Sequence, residues 1–344
     1  MEQIAGIMAK TVLYIGNKLS SSRTNPTTHS ALEEGLSSEG YTVISASPLK
    51  NKFLRLAHMK LAFFRNYREA SHILIDVYST QNFWYAVLMG MLSNFFSKKY
   101  IPILHGGDLK KRFQNSPKAT QRLLKHAYYI ISPSLYLKTE VEQMGFSHVK
   151  YIPNPLQLEK YKFKVRDNFK PRLLWVRAFD EIYNPLLAIK TFRLLLKIHP
   201  DAELCMVGPD KDGSLSAAKK YAKKHSLPVK FTGKLKKKEW LKLSEAYDIF
   251  INSSDIDNTP VSVIEAMALG LPVVSTNVGG IPYLIEDDRT GLLVAPNDAE
   301  AMAGKIISLL VDPAKARFLA ENGREKTKEF DWDIIRGEWN KVLT

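Results

Sequence analysis

Short apolar runs recur along the whole chain, and stretches with apolar side chains at helical spacing follow most of them. Runs rich in Val, Ile, Leu or Tyr predict buried strands, and their alternation with amphipathic helices predicts βα units on a parallel sheet. We expect twelve strands, six in each half: Thr11–Ile15, Thr42–Ser45, His72–Asp76, Tyr100–Leu104, Tyr128–Ser132 and Val149–Ile152, then Arg172–Arg177, Glu203–Gly208, Val229–Thr232, Ile249–Asn252, Pro272–Ser275 and Gly291–Val294.

The repeated rhythm predicts an α/β protein with two Rossmann-like, doubly wound domains. Pro, Asn and charged residues interrupt the pattern over 153–170, so we expect domains 1–165 and 166–344. The amphipathic segment Phe330–Leu343 is expected to cap the second domain. Ligands of such sheets bind beyond the carboxyl ends of the strands, so the two domains should face a cleft and the loops there should carry function.

Composition narrows the class of protein. The 344 residues are 45% hydrophobic and 24% charged, which excludes a disordered or fibrous chain. The single cysteine, Cys205, excludes a disulfide framework, is expected to be a buried hydrophobe and indicates the reducing cytosol. We expect no signal peptide, and the most apolar window, Phe83–Phe96, is shorter than the roughly 20 residues of a membrane span, so it should be a buried helix.

The charge is uneven along the chain. Residues 1–165 hold 22 Lys+Arg against 10 Asp+Glu, whereas the remainder holds 27 against 25. This favours an anionic partner for the first half, such as a membrane surface, a lipid diphosphate or nucleic acid, with ordinary solubility charge as the alternative. The segment Lys50–Arg68 mixes basic with apolar residues and predicts either a helix that lies on an anionic membrane or a Rossmann helix with a solvated basic face. The lysine-rich region Lys211–Lys242 carries no nucleic-acid-binding signature, so we interpret it as a solvated face.

The segment Asp257–Gly270, DNTPVSVIEAMALG, follows a predicted strand and is the most informative stretch of the chain. Thr259 and Pro260 predict a helix start, with threonine as the cap and proline at the first helical position. Free amides at such a start can bind a phosphate. Glu265 lies inside an otherwise small and apolar helix, where a carboxylate needs donors such as sugar or ribose hydroxyls. The alternative is a glutamate that faces solvent and is favoured by the helix dipole.

Asp257 and Glu265 are eight positions apart, and this spacing resembles the two-carboxylate signature of glycosyltransferase family 4, with Asp in the first place. The stretches EAMALGLPVVSTNVGGIPYLI and TGLLV are similar to the donor-binding domain of that family. The resemblance covers about residues 172–296 strongly and the first half more loosely. It implies the GT-B fold, with two Rossmann-like domains facing a central cleft, and a retaining transferase that uses a nucleotide sugar.

The resemblance also implies residue roles. Glu265 would hydrogen-bond the ribose hydroxyls, Asp257 would hold hydroxyls of the transferred sugar, and the amides near Val261 and Ser262 would face the diphosphate. Pro260 departs from the family because it has no N–H where many relatives have glycine. The expected donor-binding residues are Gly16, Lys18, Arg177, Gly208, Thr232, Thr259, Val261, Ser262 and Glu265.

Arg177 ends the predicted strand LLWVR and matches an arginine of the family, whose planar guanidinium would hold a pair of phosphate oxygens. The lysine that usually follows it is missing, and Asn184 stands roughly at its position. Lys18 and Lys234 are candidates for the second cation. A surface ion pair of Arg177 with the acidic residues 180–181 is the alternative.

In the first half, Gly16 partly matches paired glycines of the family that allow a close backbone approach to substrates. His105 follows an apolar strand and resembles the active-site histidine of the family, which would orient or polarise groups near the transferred sugar. The expected acceptor-binding residues are His105, Gly106, Gly107 and Asp108, although Asp108 could instead cap the next turn. The expected catalytic residues are His105, Asp257 and Arg177.

We therefore predict transfer of a hexose, with retained configuration, from a UDP- or GDP-linked sugar to a glycan or lipid-linked acceptor in bacterial surface polysaccharide synthesis. No cofactor, metal ion or nucleic acid is expected, and the expected location is the cytoplasm, at the inner face of the membrane. One alternative is a nucleotide-sugar 2-epimerase, an isomerase of similar architecture that is not expected to carry the EAMALG segment. The other is a basic nucleic-acid-binding protein.

Overall fold

The computed structural model describes residues 10–16, 28–49, 51–106 and 108–344. The chain divides into two compact units: unit 1 is Met1–Leu156 with Phe330–Thr344, and unit 2 is Gln157–Glu329. Each unit contains one six-stranded sheet in which every strand pair is parallel. Both units are therefore α/β, as the alternating pattern predicts.

The sheet of unit 1 has the strand order β2-β1-β3-β4-β5-β6. Its elements are β1 (Thr11–Ile15), α1 (Thr28–Ser38), β2 (Thr42–Ala46), α2 (Lys52–Asn66), β3 (His72–Val77), α3 (Asn82–Phe95), β4 (Tyr100–Leu104), α4 (Leu109–Asn115), α5 (Pro117–Leu124), β5 (Ile130–Ser132), α6 (Leu135–Gln143) and β6 (Val149–Tyr151).

The sheet of unit 2 has the order β12-β11-β10-β7-β8-β9. Its elements are β7 (Arg172–Val176), α7 (Pro185–Leu195), β8 (Glu203–Val207), α8 (Ser214–Lys224), β9 (Val229–Gly233), α9 (Lys237–Ser244), β10 (Ile249–Asn252), α10 (Val261–Ala268), β11 (Val273–Thr276), α11 (Ile281–Leu284), β12 (Leu292–Val294), α12 (Ala299–Val311) and α13 (Pro313–Thr327). Short 3-10 turns cover Leu158–Lys160, Glu181–Tyr183 and Lys328–Phe330, and α14 (Trp332–Leu343) follows them.

All twelve predicted strands are confirmed, each with its ends within two residues of the prediction. The signal was strong because the central strands are covered on both faces and nearly all of their positions are apolar, whereas the edge strands β2 and β9 are only partly buried. Alternate residues of β1 pack on opposite sides of the sheet in unit 1: Leu13 and Ile15 face the helices α2 to α6, whereas Val12 and Tyr14 face α1. Cys205 is buried in β8, as expected.

The predicted domain boundaries need a correction at both places where the chain crosses between units. Unit 2 begins at Gln157 instead of residue 166, and the final helix α14 belongs to unit 1. Its buried residues Ile335, Trp339 and Val342 join the core formed by β1, β3, β4 and α1. The amphipathic pattern identified the buried side of α14 but carried no information about which sheet it covers.

The apolar window Phe83–Phe96 forms the helix α3, as predicted, but it is not fully buried. Phe83 and Met89 lie in the core, whereas Trp84 and Phe95 are exposed. Within the described ranges, no helix combines the length and the apolar character needed to span a bilayer.

Candidate functional site

Polar side chains collect at the carboxyl ends of the strands in unit 2, and Arg177 after β7 lies among them. Its Nη2 donates a 2.5 Å hydrogen bond to Asp257 Oδ2, and its guanidinium lies 3.8 Å from the centroid of the Tyr183 ring. Arg177 thus pairs with Asp257 and not with the acidic residues 180–181 that were the alternative. The Arg177 Nε is buried without a hydrogen-bond partner among the described residues. This N–H of the guanidinium therefore remains available for another acceptor.

The Asp257 carboxylate is held on several sides. Ser254 Oγ donates to Oδ2 at 3.0 Å, and the Asn258 N–H donates to Oδ1 at 3.0 Å. Gly280 N–H donates to the Asp257 carbonyl at 3.0 Å, and a Cβ on Gly279 would lie only 2.1 Å from that oxygen. The glycine pair after β11 therefore lets its loop pass directly behind the aspartate.

The helix α10 starts with two free amides. Val261 and Ser262 make no backbone N–H hydrogen bond within the part of the chain that the structure describes. The predicted start is wrong by one residue: Pro260, with φ −70° and ψ 111°, is the N-cap, no side chain caps the helix, and Thr259 lies before it. The side-chain atoms Ser262 Oγ and Asn258 Oδ1 are also buried, and neither has a hydrogen-bond partner among the residues that the structure describes. Free amides at the positive end of a helix, beside unsatisfied polar atoms, form a site that suits an anion.

Glu265 is buried in α10 and faces two donors instead of solvent, which excludes the solvent-facing alternative. Tyr161 OH donates to Glu265 Oε1 at 2.8 Å, and Lys237 Nζ forms an ion pair with the same oxygen. Burial and the neighbouring Glu265 raise the pKa of Tyr161, so it stays a hydrogen-bond donor at neutral pH. Glu265 Oε2 has no hydrogen bond to the described residues, so one oxygen is free for a ligand.

The position of the missing family lysine is occupied by a helix cap. Asn184, at φ 44°, accepts from the Leu187 N–H at 3.0 Å and donates to both carboxylate oxygens of Asp255 at 3.1 Å. Lys234 is exposed and makes no ion pair with any described residue. Lys18 lies outside the described residues. Lys237 is thus the lysine of this region whose ammonium contacts a predicted donor-binding residue.

Gly208 and Thr232 lie at the carboxyl ends of β8 and β9, and Gly208 lies directly against Arg177. A Cβ on Gly208 would lie 1.7 Å from the Arg177 carbonyl oxygen, so only glycine fits there. Gly208 N–H and Thr232 Oγ1 both donate to the Gly233 carbonyl at 2.9 Å. Gly208 lets the backbone that carries Arg177 approach closely, and the predicted contact of Gly208 and Thr232 with the donor stays a prediction.

In unit 1, the carboxylate of Asp76 at the end of β3 is the centre of a buried network. It accepts hydrogen bonds from Tyr14 OH at 2.8 Å, and it lies 3.0 Å from His29 Nδ1 and 2.9 Å from His105 Nε2. The His29 ring stacks on Tyr14 at 3.7 Å, and its Nε2 lies 3.3 Å from Ser45 Oγ. The network fixes the orientation of the His105 ring. This orientation could not be predicted from the sequence alone.

The negative charge of the Asp76 carboxylate is stabilised by the two histidines of the network. Burial alone would raise the pKa of Asp76, but His105 and His29 outweigh it and hold that pKa well below its usual range. Burial, together with the Asp76 charge, raises the pKa of Tyr14 well above its usual value. Gly16 is part of the packing, since a Cβ there would lie 2.0 Å from Asp76 Oδ2 and 2.7 Å from His29 Nδ1.

The loop after β4 carries the predicted acceptor-binding residues. His105 is buried and stacks on Tyr78 at 5.2 Å, whereas Gly106 and Asp108 are exposed. Asp108 is the N-cap residue of α4, as the capping alternative expected, but its side chain makes no capping hydrogen bond to the described residues. Gly107 lies outside the described residues.

Three contributors escaped the sequence analysis: Asp76, Tyr161 and Lys237. A single carboxylate among the apolar residues of a buried strand, as in HILIDV, was a signal that could have identified Asp76. Tyr161 and Lys237 gave no signal, because they stand 104 and 28 positions from Glu265 and only the fold brings them together.

Comparison with solved structures identifies the class of fold. The chain is similar to the sucrose-phosphate synthase from Thermosynechococcus elongatus, with a TM-score of 0.81 and 20% identity over 97% of this chain and 98% of that one. It is also similar to Anabaena HepE in complex with UDP and glucose, with a TM-score of 0.77 and 18% identity over 96% and 98%. Two Rossmann-like units of this kind define the GT-B fold of glycosyltransferases.

Residues 158–326 match the family model of the glycosyl transferases group 1. This segment is nearly all of unit 2, and through it the chain is similar to that family.

Curated relatives agree with the family. A sulfoquinovosyl transferase of Arabidopsis thaliana is 38% identical over 112 residues, or 31% of this chain and 21% of the relative. A glycogen synthase of Mycobacterium tuberculosis is 26% identical over 62% of this chain and 53% of its own length. An amylovoran biosynthesis glycosyltransferase of Erwinia amylovora is 28% identical over 71% and 63%. The chain thus spans less than two thirds of the length of each of these relatives. None of the three is named as an epimerase or a nucleic-acid-binding protein, so these matches support neither alternative.

Proposed function

We propose that the protein transfers a hexose from a UDP- or GDP-linked sugar to a glycan or lipid-linked acceptor, with retention of the anomeric configuration. The observation that carries the proposal is the ion pair of Arg177 and Asp257 beside the free amides of α10. Donor binding is assigned to unit 2 and acceptor binding to unit 1. A relative named for amylovoran biosynthesis and a structural neighbour complexed with UDP and glucose support the choice of substrates.

Glu265 would recognise the ribose. Its Oε1 is already occupied by Tyr161 and Lys237, so Oε2 is the oxygen left to accept from a ribose hydroxyl. A buried carboxylate without these two donors would be costly, and the two contacts also fix the direction of the Glu265 side chain.

The diphosphate would lie at the start of α10. Arg177 Nε and the amides of Val261 and Ser262 are donors without a partner in the described part of the chain, and they would stabilise the negative charge of the leaving group. Asp257 would accept from hydroxyls of the transferred sugar, and its shorter side chain is already fixed by Ser254. Positive charge at the leaving group would thus come from the protein, without a metal ion or cofactor.

The reaction would be a front-face displacement. The acceptor oxygen forms a bond to the anomeric carbon while the bond from that carbon to the diphosphate oxygen breaks. The proton of the acceptor hydroxyl passes to the leaving diphosphate, so no protein nucleophile is needed. In unit 1, His105 would orient acceptor hydroxyls through its Nδ1, because its Nε2 is engaged by Asp76. Asp108 and Gly106 would border the same acceptor site.

Binding of UDP, GDP and ADP, measured by calorimetry, tests the donor assignment directly. Glu265→Gln should weaken the preferred nucleotide at least about tenfold through the lost charge-assisted hydrogen bond, whereas Glu286→Gln, an exposed control in the same unit, should not. Wild-type affinity in Glu265→Gln would overturn the ribose assignment.

Product analysis tests the reaction. Incubation with the matching hexose nucleotide and a glycan or lipid-linked acceptor should give a product whose anomeric proton coupling shows retention. An altered nucleotide sugar formed without acceptor would instead identify an epimerase. The proposed site of action is the cytoplasm, at the inner face of the membrane.

A further inference from the structure

The outer sides of α2 and α3 expose large aromatic side chains. Phe53 and Phe64 on α2 are 86% and 50% exposed, and Trp84 and Phe95 on α3 are 52% and 79% exposed. The members of each pair are eleven positions apart, which is about three helical turns, so both point to the same side of their helix. Monomeric proteins rarely leave several aromatic rings in water without a binding role.

The two helices lie side by side, so their aromatic residues share one surface of unit 1. Tyr85 OH on α3 donates to the Lys52 carbonyl at the start of α2 at 3.2 Å. Near the other end, the Phe64 ring is 5.9 Å from the ring of Phe96. Both helices pack against the same side of the sheet, which leaves their opposite sides outward.

The helix α5 continues this surface with positive charge. Lys118, Arg122 and Lys125 are exposed at helical spacing, and with Met91 and Phe95 of α3 they line a groove between the two helices. None of these three cations makes an ion pair within the described ranges of the chain. The groove thus combines an apolar floor with an unneutralised basic edge.

The surrounding charge is strongly one-sided. Residues 51–126 contain 13 Lys or Arg and only 3 Asp or Glu, and one of the acidic residues, Asp76, is buried. Exposed aromatic rings beside unpaired cations match the boundary between anionic headgroups and acyl chains. Nucleic acid would neutralise the cations but would leave Phe53 and Phe64 in water.

We propose that the outer sides of α2, α3 and α5 form a docking surface for an anionic lipid bilayer. Phe53, Trp84 and Phe95 enter the acyl region, and the groove cations bind lipid phosphates. This extends the membrane role expected of the segment 50–68 to two further helices. None of the docking residues has a proposed role in substrate binding, so docking can be lost while nucleotide binding in unit 2 is kept.

Vesicle co-sedimentation without nucleotide tests the electrostatic part. The full chain should bind phosphatidylcholine vesicles that contain phosphatidylglycerol and should be released by high salt. Combined Lys118→Glu, Arg122→Glu and Lys125→Glu substitutions should lower binding at least about tenfold. The matched control is Lys219→Glu, Lys220→Glu and Lys223→Glu on α8 of unit 2, which should bind as wild type.

The apolar part has its own test. Phe53→Ser with Phe95→Ser should weaken vesicle binding, whereas Phe318→Ser, at a position of α13 in unit 2 that is 51% exposed, should not. Tryptophan emission should shift to the blue with anionic vesicles, and Trp84→Phe should abolish the shift. Unchanged nucleotide affinity of each variant would show that unit 2 is intact.

No vesicle binding at low salt would overturn the proposal. Equal losses of vesicle binding in the unit 2 control variants would also overturn it, because they would indicate nonspecific attraction between the protein and the vesicles. Duplex DNA that binds with the same variant pattern and displaces the vesicles would assign the surface to nucleic acid instead. Loss of membrane binding with intact UDP or GDP binding would separate this proposal from the transferase assignment.

Discussion

Asp76 shows how one buried residue can organise several others. Its carboxylate is shared by Tyr14, His29 and His105, which arrive from three different elements. A buried carboxylate is stable only with such donors, and the donors in turn are fixed by it. The predicted active-site residue His105 therefore owes its orientation to a residue that has no expected contact with substrate.

Asp76→Asn should destabilise unit 1. The pKa of Asp76 is held below its unfolded value, so its stabilisation is complete at neutral pH and is lost as the pH falls from about 4 toward the lower folded-state value. We expect a loss of about 3 kcal/mol in the free energy of unfolding at pH 7, and a smaller loss at pH 3. Urea unfolding followed by hydrogen exchange of β1 and β3 measures both, and Asp201→Asn, an exposed substitution in unit 2, is the control. Equal losses at the two pH values would contradict the charge-based explanation.

Gly16→Ala should displace the same network, because the new methyl group would overlap Asp76 Oδ2 and His29 Nδ1. We expect destabilisation of about 1–3 kcal/mol by overpacking. Gly337→Ala in α14 of the same unit meets open space and should be neutral or stabilising by up to about 1 kcal/mol. Thermal unfolding of the two variants tests the difference, and a neutral Gly16→Ala would mean that the network can shift.

Tyr161→Phe and Lys237→Met should each weaken nucleotide binding at least about fivefold, because each removes one donor from the buried carboxylate of Glu265. Lys234→Met, an exposed lysine nearby, is the matched control. Calorimetry with UDP and GDP measures the effect. If Lys234→Met lowered nucleotide affinity and Lys237→Met did not, Lys234 would be the second cation of the donor site, as the sequence analysis allowed.

At the scale of elements, the sequence predicted the strands well and the ends of helices less well. Most strands are short apolar runs, and the central ones are buried on both faces, so their composition marks them. The start of α10 shifted by one residue, because Thr259 and Pro260 permit two registers and the backbone of Pro260 decides between them. Polar contacts such as that of Tyr161 with Glu265 could not be predicted, since they depend on how distant segments pack.

The register of α10 leads to a test of its free amides. Val261→Pro removes one N–H at the first helical position, where proline is favoured, and the extended Pro260 before it is compatible with a following proline. Affinity for UDP or GDP should fall several-fold, whereas affinity for the nucleoside alone should not change. Val261→Ala keeps the N–H and should bind as wild type. Equal weakening of nucleoside and nucleotide would show that the helix itself was disturbed.

At the scale of the whole molecule, the chain forms unit 1, then unit 2, and then returns to unit 1. Trp339 of α14 is buried against β1 and α1. Trp339→Ala should lower the stability of unit 1 by about 3–5 kcal/mol through the cavity it leaves. Hydrogen exchange should accelerate in β1 and β4 while the strands of unit 2 stay protected. Faster exchange in β7 or β10 would contradict the division into units.

The return of the chain to unit 1 also orders events during translation. The ribosome exposes the segment 157–329, all of unit 2, before it exposes residues 330–344. Unit 2 can therefore fold on the nascent chain while one side of the sheet in unit 1 still lacks α14. Unit 1 is thus synthesised first but completed last. Until α14 is added, the uncovered apolar side of its sheet is a surface that chaperones can recognise.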